Sequence, residues 1–283
     1  MPAITCDFLI IGAGVAGISV AENLAREKLD VVVVDAAELA GGSSGQNAGG
    51  VRQQFSEATN IRAGLDTLRR IASFHEETGI DVSFRKVGYL FLAANERQEA
   101  TLARAVELQR SLGVRSTTVS RDEISEIVPE MNITDVRSGT FCGDDGYLDP
   151  KAFVRALATM ARAHGARILE NTTVIGLKVS GSRIVEVVTR NERFAPSVVV
   201  NTAGVWAPRI AAMVGAELPI APRRSNLWVA RPTKINPGEW IPQVIDVETR
   251  VFYHSEIGGD GSLVFGVGGA ELVPDDPQIP CNW

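Results

Sequence analysis

The sequence feature that most constrains the fold is a glycine-rich turn near the N-terminus. Its glycines are Gly12, Gly14 and Gly17, and they follow a hydrophobic run at residues 8–11. Gly12 permits a tight turn, Gly14 lets the backbone approach a pyrophosphate, and Gly17 lets a helix pack close to the strand. Residues 15–27 are compatible with that helix, whose N-terminus would bind a diphosphate.

A second hydrophobic run, at residues 31–34, ends on Asp35. This puts a carboxylate about 20 residues after the turn, a spacing typical of the acid that binds a ribose hydroxyl of a dinucleotide. Because a carboxylate there repels a 2′-phosphate, we expect FAD or NAD and not NADP. The alternative interpretation is an ordinary strand–helix–strand turn without a ligand.

The composition limits the other classes of fold and partner. The 283 residues suggest about two domains, and 45% hydrophobic with 22% charged residues is ordinary for a globular protein. No hydrophobic run approaches the about 20 residues of a membrane span. No signal segment precedes the first strand, so we expect a cytoplasmic protein. The net charge of −6 argues against a nucleic-acid surface.

The sequence predicts neither a metal centre nor a disulfide framework. The three cysteines are odd in number and widely separated, and the three histidines have no ligand spacing. A reducing compartment fits this cysteine usage best.

A polar, glycine-rich segment follows Asp35 at residues 41–57. Its serines, amides and flexible backbone supply many hydrogen-bond donors, which suits contact with a polar cofactor. The alternative is a disordered surface loop.

The remaining sequence alternates between helical and strand patterns. Helices are predicted at residues 56–78, 95–112, 121–127, 151–164 and 209–214, and strands at 82–92, 136–142, 167–170, 174–179, 184–189, 197–200, 227–230, 244–246, 250–254 and 263–267. The late short strands predict a mostly antiparallel sheet. A polar turn at residues 201–206 ends the 197–200 strand, the place where an open α/β sheet binds its ligand.

Five motifs in this order resemble the FAD-dependent D-amino-acid oxidase superfamily. Within it, the chain is most similar to sarcosine oxidase β-subunits, glycine oxidase, dimethylglycine dehydrogenase and amino-acid dehydrogenase subunits. The motifs are Gly12-x-Gly14-x-x-Gly17 with Asp35, Ser43-Ser44-Gly-Gln46-Asn47-Ala48-Gly49-Gly50-Val-Arg52, Gly146-Tyr-Leu-Asp149-Pro150, Gly165-Ala166 leading to Val174, and Asn201-Thr-Ala203-Gly204-Val-Trp206. The resemblance covers nearly the whole chain.

The resemblance implies an α/β fold in which a Rossmann-like FAD-binding domain is interleaved with an α+β substrate domain built on a mostly antiparallel sheet. The FAD domain is expected at residues 1–80 and 145–220, and the substrate domain at 81–144 and 221–283. Family members are longer, so both domains are expected to lack C-terminal parts. This raises an alternative, a truncated or degenerate homologue or a subunit of a hetero-oligomer, without activity on its own.

The resemblance also implies the cofactor contacts. They are expected from Gly12, Gly14, Gly17, Asp35, Ser43, Ser44, Gln46, Asn47, Ala48, Gly49, Gly50, Val174, Ala203, Gly204 and Trp206. In relatives with covalent flavin a histidine follows the serine pair, whereas this chain has Gly45 and Gln46 there. FAD is therefore expected to be bound non-covalently.

The resemblance assigns the substrate carboxylate to Arg52, because the segment 52–57 has the form found in sarcosine-oxidising relatives. A guanidinium can hold a carboxylate through two parallel hydrogen bonds. The alternative is an ion pair between Arg52 and Glu57 on a helix surface. Tyr253 and His254 are further candidates for substrate contact, with core packing of Tyr253 and a surface position of His254 as the alternatives.

The implied reaction oxidises the C–N bond of a small amino acid or N-methyl amino acid by hydride transfer to flavin N5. Oxygen, a quinone or another subunit would then accept the electrons. An NAD-dependent dehydrogenase is the remaining alternative, and it is disfavoured because the segment 41–57 and the turn at 201–206 match flavoproteins better.

Overall fold

The computed structural model describes residues 2–233, 238–268 and 271–272. In this part of the chain the α-helices are α1 (Val15–Arg26), α2 (Ala58–Thr78), α3 (Glu96–Ser111), α4 (Arg121–Ile127), α5 (Pro150–Ala163) and α6 (Ala207–Ala212). The strands are β1 (Ile4–Ile11), β2 (Val31–Val34), β3 (Gly50–Val51), β4 (Tyr89–Ala93), β5 (Thr117–Ser120), β6 (Ser138–Cys142), β7 (Gly146–Tyr147), β8 (Arg167–Leu169), β9 (Val174–Ser180), β10 (Arg183–Thr189), β11 (Arg193–Asn201), β12 (Arg223–Arg224), β13 (Leu227–Ala230), β14 (Gln243–Asp246), β15 (Val251–Ser255), β16 (Leu263–Val267) and β17 (Glu271–Leu272). Short 3₁₀ helices lie at Ser43–Gly45 and Gly204–Trp206.

The chain divides into two compact units, each built from separated segments. Of the described residues, 2–47 and 150–223 lie in the first unit, and 48–149 and 224–271 lie in the second, apart from the gaps in the description. Leu272 is assigned to the first unit.

The first unit contains a six-stranded sheet in the order β8-β2-β1-β11-β10-β9. Strands β8, β2, β1 and β11 are parallel, and β10 and β9 extend the sheet in the antiparallel sense. All four valines of β2 are buried, as expected of a parallel strand covered on both faces. A buried cluster of this unit consists of Cys6, Leu9, Ile11, Val32, Val34, Val174, Val187 and Phe194.

The second unit contains a seven-stranded sheet in the order β13-β16-β15-β14-β4-β6-β5. Only the β14–β4 pair in this sheet is parallel. Its core cluster consists of Leu90, Leu92, Val119, Ile124, Val128, Val136 and Val244. The parallel sheet of the first unit and the mostly antiparallel sheet of the second confirm the predicted fold class.

Some strands differ from the sequence prediction, and the two-residue strands β3, β7, β12 and β17 were not predicted. The strand predicted at 82–92 begins only at Tyr89, because Gly88 has a positive φ of 93° and interrupts the extended chain. Before it, Arg85 makes an isolated bridge to Tyr147. Strand β5 was not predicted, since Val119 is the one hydrophobic residue among its four.

The segment 48–80 was assigned to the FAD domain from the sequence, and its contacts place it in the second unit. The backbone of β3 pairs with β7 there, and the side chain of Asp145 accepts hydrogen bonds from Gln53 and Gln54. Compact units and functional domains are different divisions of a chain, so the domain boundaries stay a prediction. Residues 273–283 of the predicted substrate domain lie outside the described residues.

The described residues contain neither a candidate membrane span nor a candidate metal cluster. None of their helices combines the length and the apolar character needed to cross a membrane. Within the same residues, no three or more His, Cys, Asp or Glu side chains are grouped so that they could hold a metal ion.

A substitution at Gly146 tests the packing of the second unit. A Cβ atom at this buried position would lie 1.9 Å from the carbonyl oxygen of Arg85. We therefore expect Gly146→Ala to lower the free energy of unfolding by about 1–3 kcal/mol, the usual cost of overpacking. Denaturant unfolding followed by circular dichroism measures this change.

Gly176→Ala is the matched control, since a Cβ at Gly176 meets no atom within 4 Å. Its unfolding should match that of the unmodified protein. Equal stability of the two variants would contradict the packing described for Gly146.

Candidate functional site

A cavity of about 470 Å³ lies in the first unit, where the parallel strands β1, β2 and β11 end. Its volume is typical of a small-molecule site. The lining includes these residues predicted to contact a cofactor: Gly12, Gly14, Asp35, Ser43, Ser44, Val174, Ala203, Gly204 and Trp206. Gly17, Gln46 and Asn47 belong to the same unit but are not part of the lining.

The glycine turn brings β1, α1 and the turn after β11 closer together than side chains would allow. Gly12 has a φ of 113°, and a Cβ there would lie 2.5 Å from the carbonyl oxygen of Thr202. A Cβ at Gly17 would lie 1.9 Å from the carbonyl oxygen of Gly12. The Thr202 hydroxyl lies 2.9 Å and 3.0 Å from the carbonyl oxygens of Ile11 and Gly12. The backbone at the cavity is therefore fixed in place by glycine contacts.

The N-terminus of α1 opens toward the cavity. Its N-cap, Gly14, has no side chain, and the first turn has no acidic residue. The Val15 N–H donates to Ser44 Oγ at 2.9 Å. The Asn47 amide in turn donates to the carbonyl oxygens of Ser43 and Ser44. The polar segment is folded here, and it presents a hydroxyl beside a helix N-terminus that favours an anion.

Asp35 lies at the edge of the glycine turn. Its Oδ2 accepts a hydrogen bond from the Ala13 N–H at 2.6 Å, and its Oδ1 accepts one from the Ala37 N–H at 2.8 Å. Each carboxylate oxygen has a further lone pair. The carboxylate is thus oriented by the backbone and retains the capacity to accept ribose hydroxyls.

The turn after β11 forms another wall of the cavity. Asn201 shapes it, since its Oδ1 accepts from the Ala203 N–H and its Nδ2 donates to the Ala207 carbonyl oxygen. The Trp206 ring would lie 3.6 Å from a Cβ at Gly42. Together with the glycine turn, the open helix N-terminus and Asp35, this wall fits the ADP part of a dinucleotide.

Several residues that line the cavity were not predicted from the sequence. Thr172 and Thr173 lie in the turn between β8 and β9. A polar pair just after a parallel strand is a signal that could have found them. Arg209 and Met213 also line the cavity, but an exposed arginine and a methionine at helical spacing give no such signal.

Arg52 belongs to the second unit, where aromatic rings surround its guanidinium. The guanidinium carbon lies 4.7 Å from the ring centroid of Phe55, 5.2 Å from that of Phe91 and 5.9 Å from that of Tyr89. Such contacts stabilise a cation. Among the described residues, no carboxylate lies within ion-pairing distance of Arg52. The alternative of an ion pair with Glu57 is therefore not found.

The predicted cofactor contacts Ala48, Gly49 and Gly50 also belong to the second unit. The Gly49 carbonyl oxygen accepts from the Leu148 N–H at 3.0 Å. A Cβ at Gly50 would lie 1.9 Å from the hydroxyl oxygen of Tyr89, so only glycine fits there. Burial raises the pKa of Tyr89 above its ordinary value, and this phenol stays protonated.

Tyr253 packs against the core cluster of the second unit. Its hydroxyl lies 2.8 Å from the Met131 sulfur, and burial raises its pKa to about 12. These contacts agree with the core-packing alternative.

His254 is only 2% exposed, so the alternative of a surface position is wrong. Its Nδ1 lies 2.7 Å from the Ser255 carbonyl oxygen, and its ring centroid lies 4.2 Å from that of Tyr147. Burial lowers the pKa of the imidazole, which favours the neutral form.

Comparison with known proteins gives consistent matches. The profile of the family described as FAD dependent oxidoreductase (DAO) matches residues 7–281. Human mitochondrial sarcosine dehydrogenase is 28% identical over 278 residues, which cover 95% of this chain and 29% of that protein. The chain thus spans less than a third of the length of this relative.

Solved structures also match. The L-proline dehydrogenase from P. horikoshii superposes with a TM-score of 0.89 at 28% identity, covering 97% of this chain and 73% of that one. The glycine oxidase from Geobacillus kaustophilus superposes with a TM-score of 0.82 at 22% identity, covering 97% of this chain and 74% of that one, and shows the shared fold. The match over residues 7–281 shows that the chain belongs to the DAO family of FAD-dependent oxidoreductases, which includes amino-acid and amine oxidases and dehydrogenases.

Proposed function

We propose that the protein binds FAD non-covalently and oxidises the C–N bond of a small amino acid or N-methyl amino acid. The observation that carries the substrate assignment is the Arg52 guanidinium, which is enclosed by aromatic rings and has no carboxylate within ion-pairing distance among the described residues. A partly desolvated cation of this kind favours an anionic partner, and a substrate carboxylate supplies one.

The residues of the first unit would hold the cofactor. The N-terminus of α1 and the Ser44 hydroxyl would receive the diphosphate, Asp35 a ribose hydroxyl, and the backbone at Val174 the adenine. When bound, FAD supplies the acceptor for the hydride that leaves the carbon next to the amine nitrogen. No histidine follows Ser43 and Ser44, which supports non-covalent binding.

The similar proteins support the same substrate class. Two matches at 28% identity are named for sarcosine and for L-proline, and both molecules are secondary amines with a carboxylate on the adjacent carbon. In this chain Arg52 would hold that carboxylate, and the aromatic rings around it would exclude water from the ion pair. This contact between Arg52 and the carboxylate would position the substrate carbon that donates the hydride.

Gly14→Val tests the cofactor site. The backbone at Gly14 is extended, with φ −76° and ψ 178°, so valine can adopt it. A Cβ there would lie 2.9 Å from Ser44 Oγ, so the side chain displaces the hydroxyl beside the helix N-terminus. We expect FAD affinity to fall about a hundredfold, or about 2.7 kcal/mol, in a fluorescence titration of the apoprotein. Gly176→Val places the same side chain in open space and should bind FAD normally. Equal affinity of both variants would refute the placement of the diphosphate.

The absence of a covalent link is tested by acid precipitation of the flavin-loaded protein. We expect all flavin absorption in the supernatant and none in the protein pellet. Flavin that stays with the denatured protein would contradict non-covalent binding.

Arg52→Ala should lower kcat/KM for a carboxylated amine by about a hundredfold, because hydrogen bonds to charged groups contribute about 1.5–3 kcal/mol each. The kcat/KM of Arg52→Lys should lie between those of the parent protein and Arg52→Ala, since lysine keeps the charge but not the paired geometry. Stopped-flow reduction of the flavin by sarcosine, dimethylglycine, L-proline and glycine measures both variants.

Arg62→Ala is the matched control, because Arg62 is an exposed arginine on α2 of the same unit. Its kinetics should be unchanged. An Arg52→Ala protein with normal kcat/KM for every carboxylated amine that the parent oxidises would refute the proposed role.

A further inference from the structure

Asp145 is a buried acid that the proposed function does not yet use. It has no exposed surface and, among the described residues, no cation lies within ion-pairing distance. Its Oδ1 accepts from the Gln53 backbone N–H at 2.9 Å and from the Gln53 side-chain amide at 3.1 Å. Its Oδ2 accepts from the Gln54 side-chain amide at 3.3 Å. Three neutral N–H donors thus converge on one carboxylate.

Both glutamines directly follow Arg52 in the chain, and Gln54 extends the network into the sheet. Its amide group also donates to the Tyr89 carbonyl oxygen at 2.9 Å, and its Oε1 accepts from the Thr140 hydroxyl at 3.1 Å. Gln54, which Asp145 holds, therefore links the Arg52 segment to β4 and β6.

The Arg52 segment also packs against α2. A Cβ at Gly64 of α2 would lie 2.7 Å from the Arg52 carbonyl oxygen, so the helix packs directly on this backbone. The aromatic partners Tyr89 and Phe91 lie on β4, the strand that Gln54 contacts. The backbone and the aromatic surroundings of Arg52 are thus held by one hydrogen-bonded network.

Burial of a carboxylate without a cation is costly. Burial raises the pKa of Asp145 to about 6, although the hydrogen bonds from Gln53 and Gln54 oppose this shift. A hydrophobic residue would avoid the cost of the buried charge but could not accept these three hydrogen bonds. The presence of an acid at this buried position therefore indicates that its hydrogen bonds hold the segment of Gln53 and Gln54 in place.

We propose that Asp145 is the positioning residue for Arg52, holding the Gln53–Gln54 backbone so that the guanidinium is presented to a carboxylate ligand. This inference rests on the proposed function, because it assumes that Arg52 binds a carboxylate.

Protonation of Asp145 should release part of this network. A carboxylic acid group turns one acceptor site into a donor, and the surrounding amides then lose an acceptor. The ionised form is the binding-competent one, so carboxylate affinity should fall as the pH falls through about 6.

The groups that face Asp145 do not titrate in this range. Burial raises the pKa of both the Tyr89 hydroxyl and the Cys142 thiol, the latter to about 12. Hydrogen bonds from Arg115 and Lys86 lower the pKa of neighbouring Asp144 to about 2.

The test measures binding of trifluoroacetate by fluorine NMR, which needs neither flavin nor turnover, with an anion that stays ionised at every pH used. The proteins are the parent chain, Asp145→Asn, Asp144→Asn and Arg52→Ala. Asp144→Asn is the matched control, because it removes the adjacent charge from an acid that pairs with Lys86 and Arg115 instead. Chemical unfolding of each variant is recorded in parallel.

We expect Asp145→Asn to raise the dissociation constant about tenfold and to abolish its pH dependence, with Asp144→Asn like the parent. Unchanged affinity in Asp145→Asn would overturn the inference. If that variant does not fold, the parent decides, since a midpoint near 6 supports the inference and a flat profile refutes it.

The Arg52→Ala protein separates this inference from the proposed function. Trifluoroacetate binding that survives in Arg52→Ala would refute the role of Arg52 in carboxylate binding, and with it the positioning role. Binding that is lost in Arg52→Ala but retained in Asp145→Asn would refute only the role of Asp145.

Discussion

The close contact of Gly17 with the Gly12 carbonyl group is the constraint on which the first unit depends. A Cβ at Gly17 would lie within 1.9 Å of the Gly12 oxygen and 2.6 Å of the Thr202 hydroxyl, so β1, α1 and β11 meet at distances that only glycine permits. This packing sets the N-terminus of α1 beside the cavity and orients Asp35 through the Ala13 N–H. A bare backbone at a helix N-terminus is the physical basis of an anion site.

In the second unit the corresponding constraint is polar. Its Asp145 carboxylate is buried and holds Gln53 and Gln54 by three hydrogen bonds, while α2 packs on the Arg52 backbone through Gly64. The guanidinium of Arg52 therefore lies among aromatic rings on a confined backbone. A preorganised cation of this kind binds an anion without first having to be ordered.

Much of the fold could be predicted from the sequence, because hydrophobic periodicity and glycine positions are local signals. The helix α4 was predicted with its observed bounds, whereas β4 begins later than predicted because Gly88 breaks the chain. The roles of the residues in the candidate site were harder to predict. Asp144 and Asp145 are adjacent and chemically identical, yet one pairs with surface cations and the other is buried. Only tertiary packing separates them, so no sequence pattern could assign their roles.

The most direct test of the account compares two substrates that differ only in the group that Arg52 would bind. Sarcosine and its neutral amide have the same C–N bond and nearly the same size, but only sarcosine has a carboxylate. We expect the flavin of the loaded protein to be reduced by sarcosine with a kcat/KM roughly a hundredfold higher than by the amide, as the loss of two charge-assisted hydrogen bonds implies. Equal rates with both compounds would contradict a carboxylated amine as the substrate class.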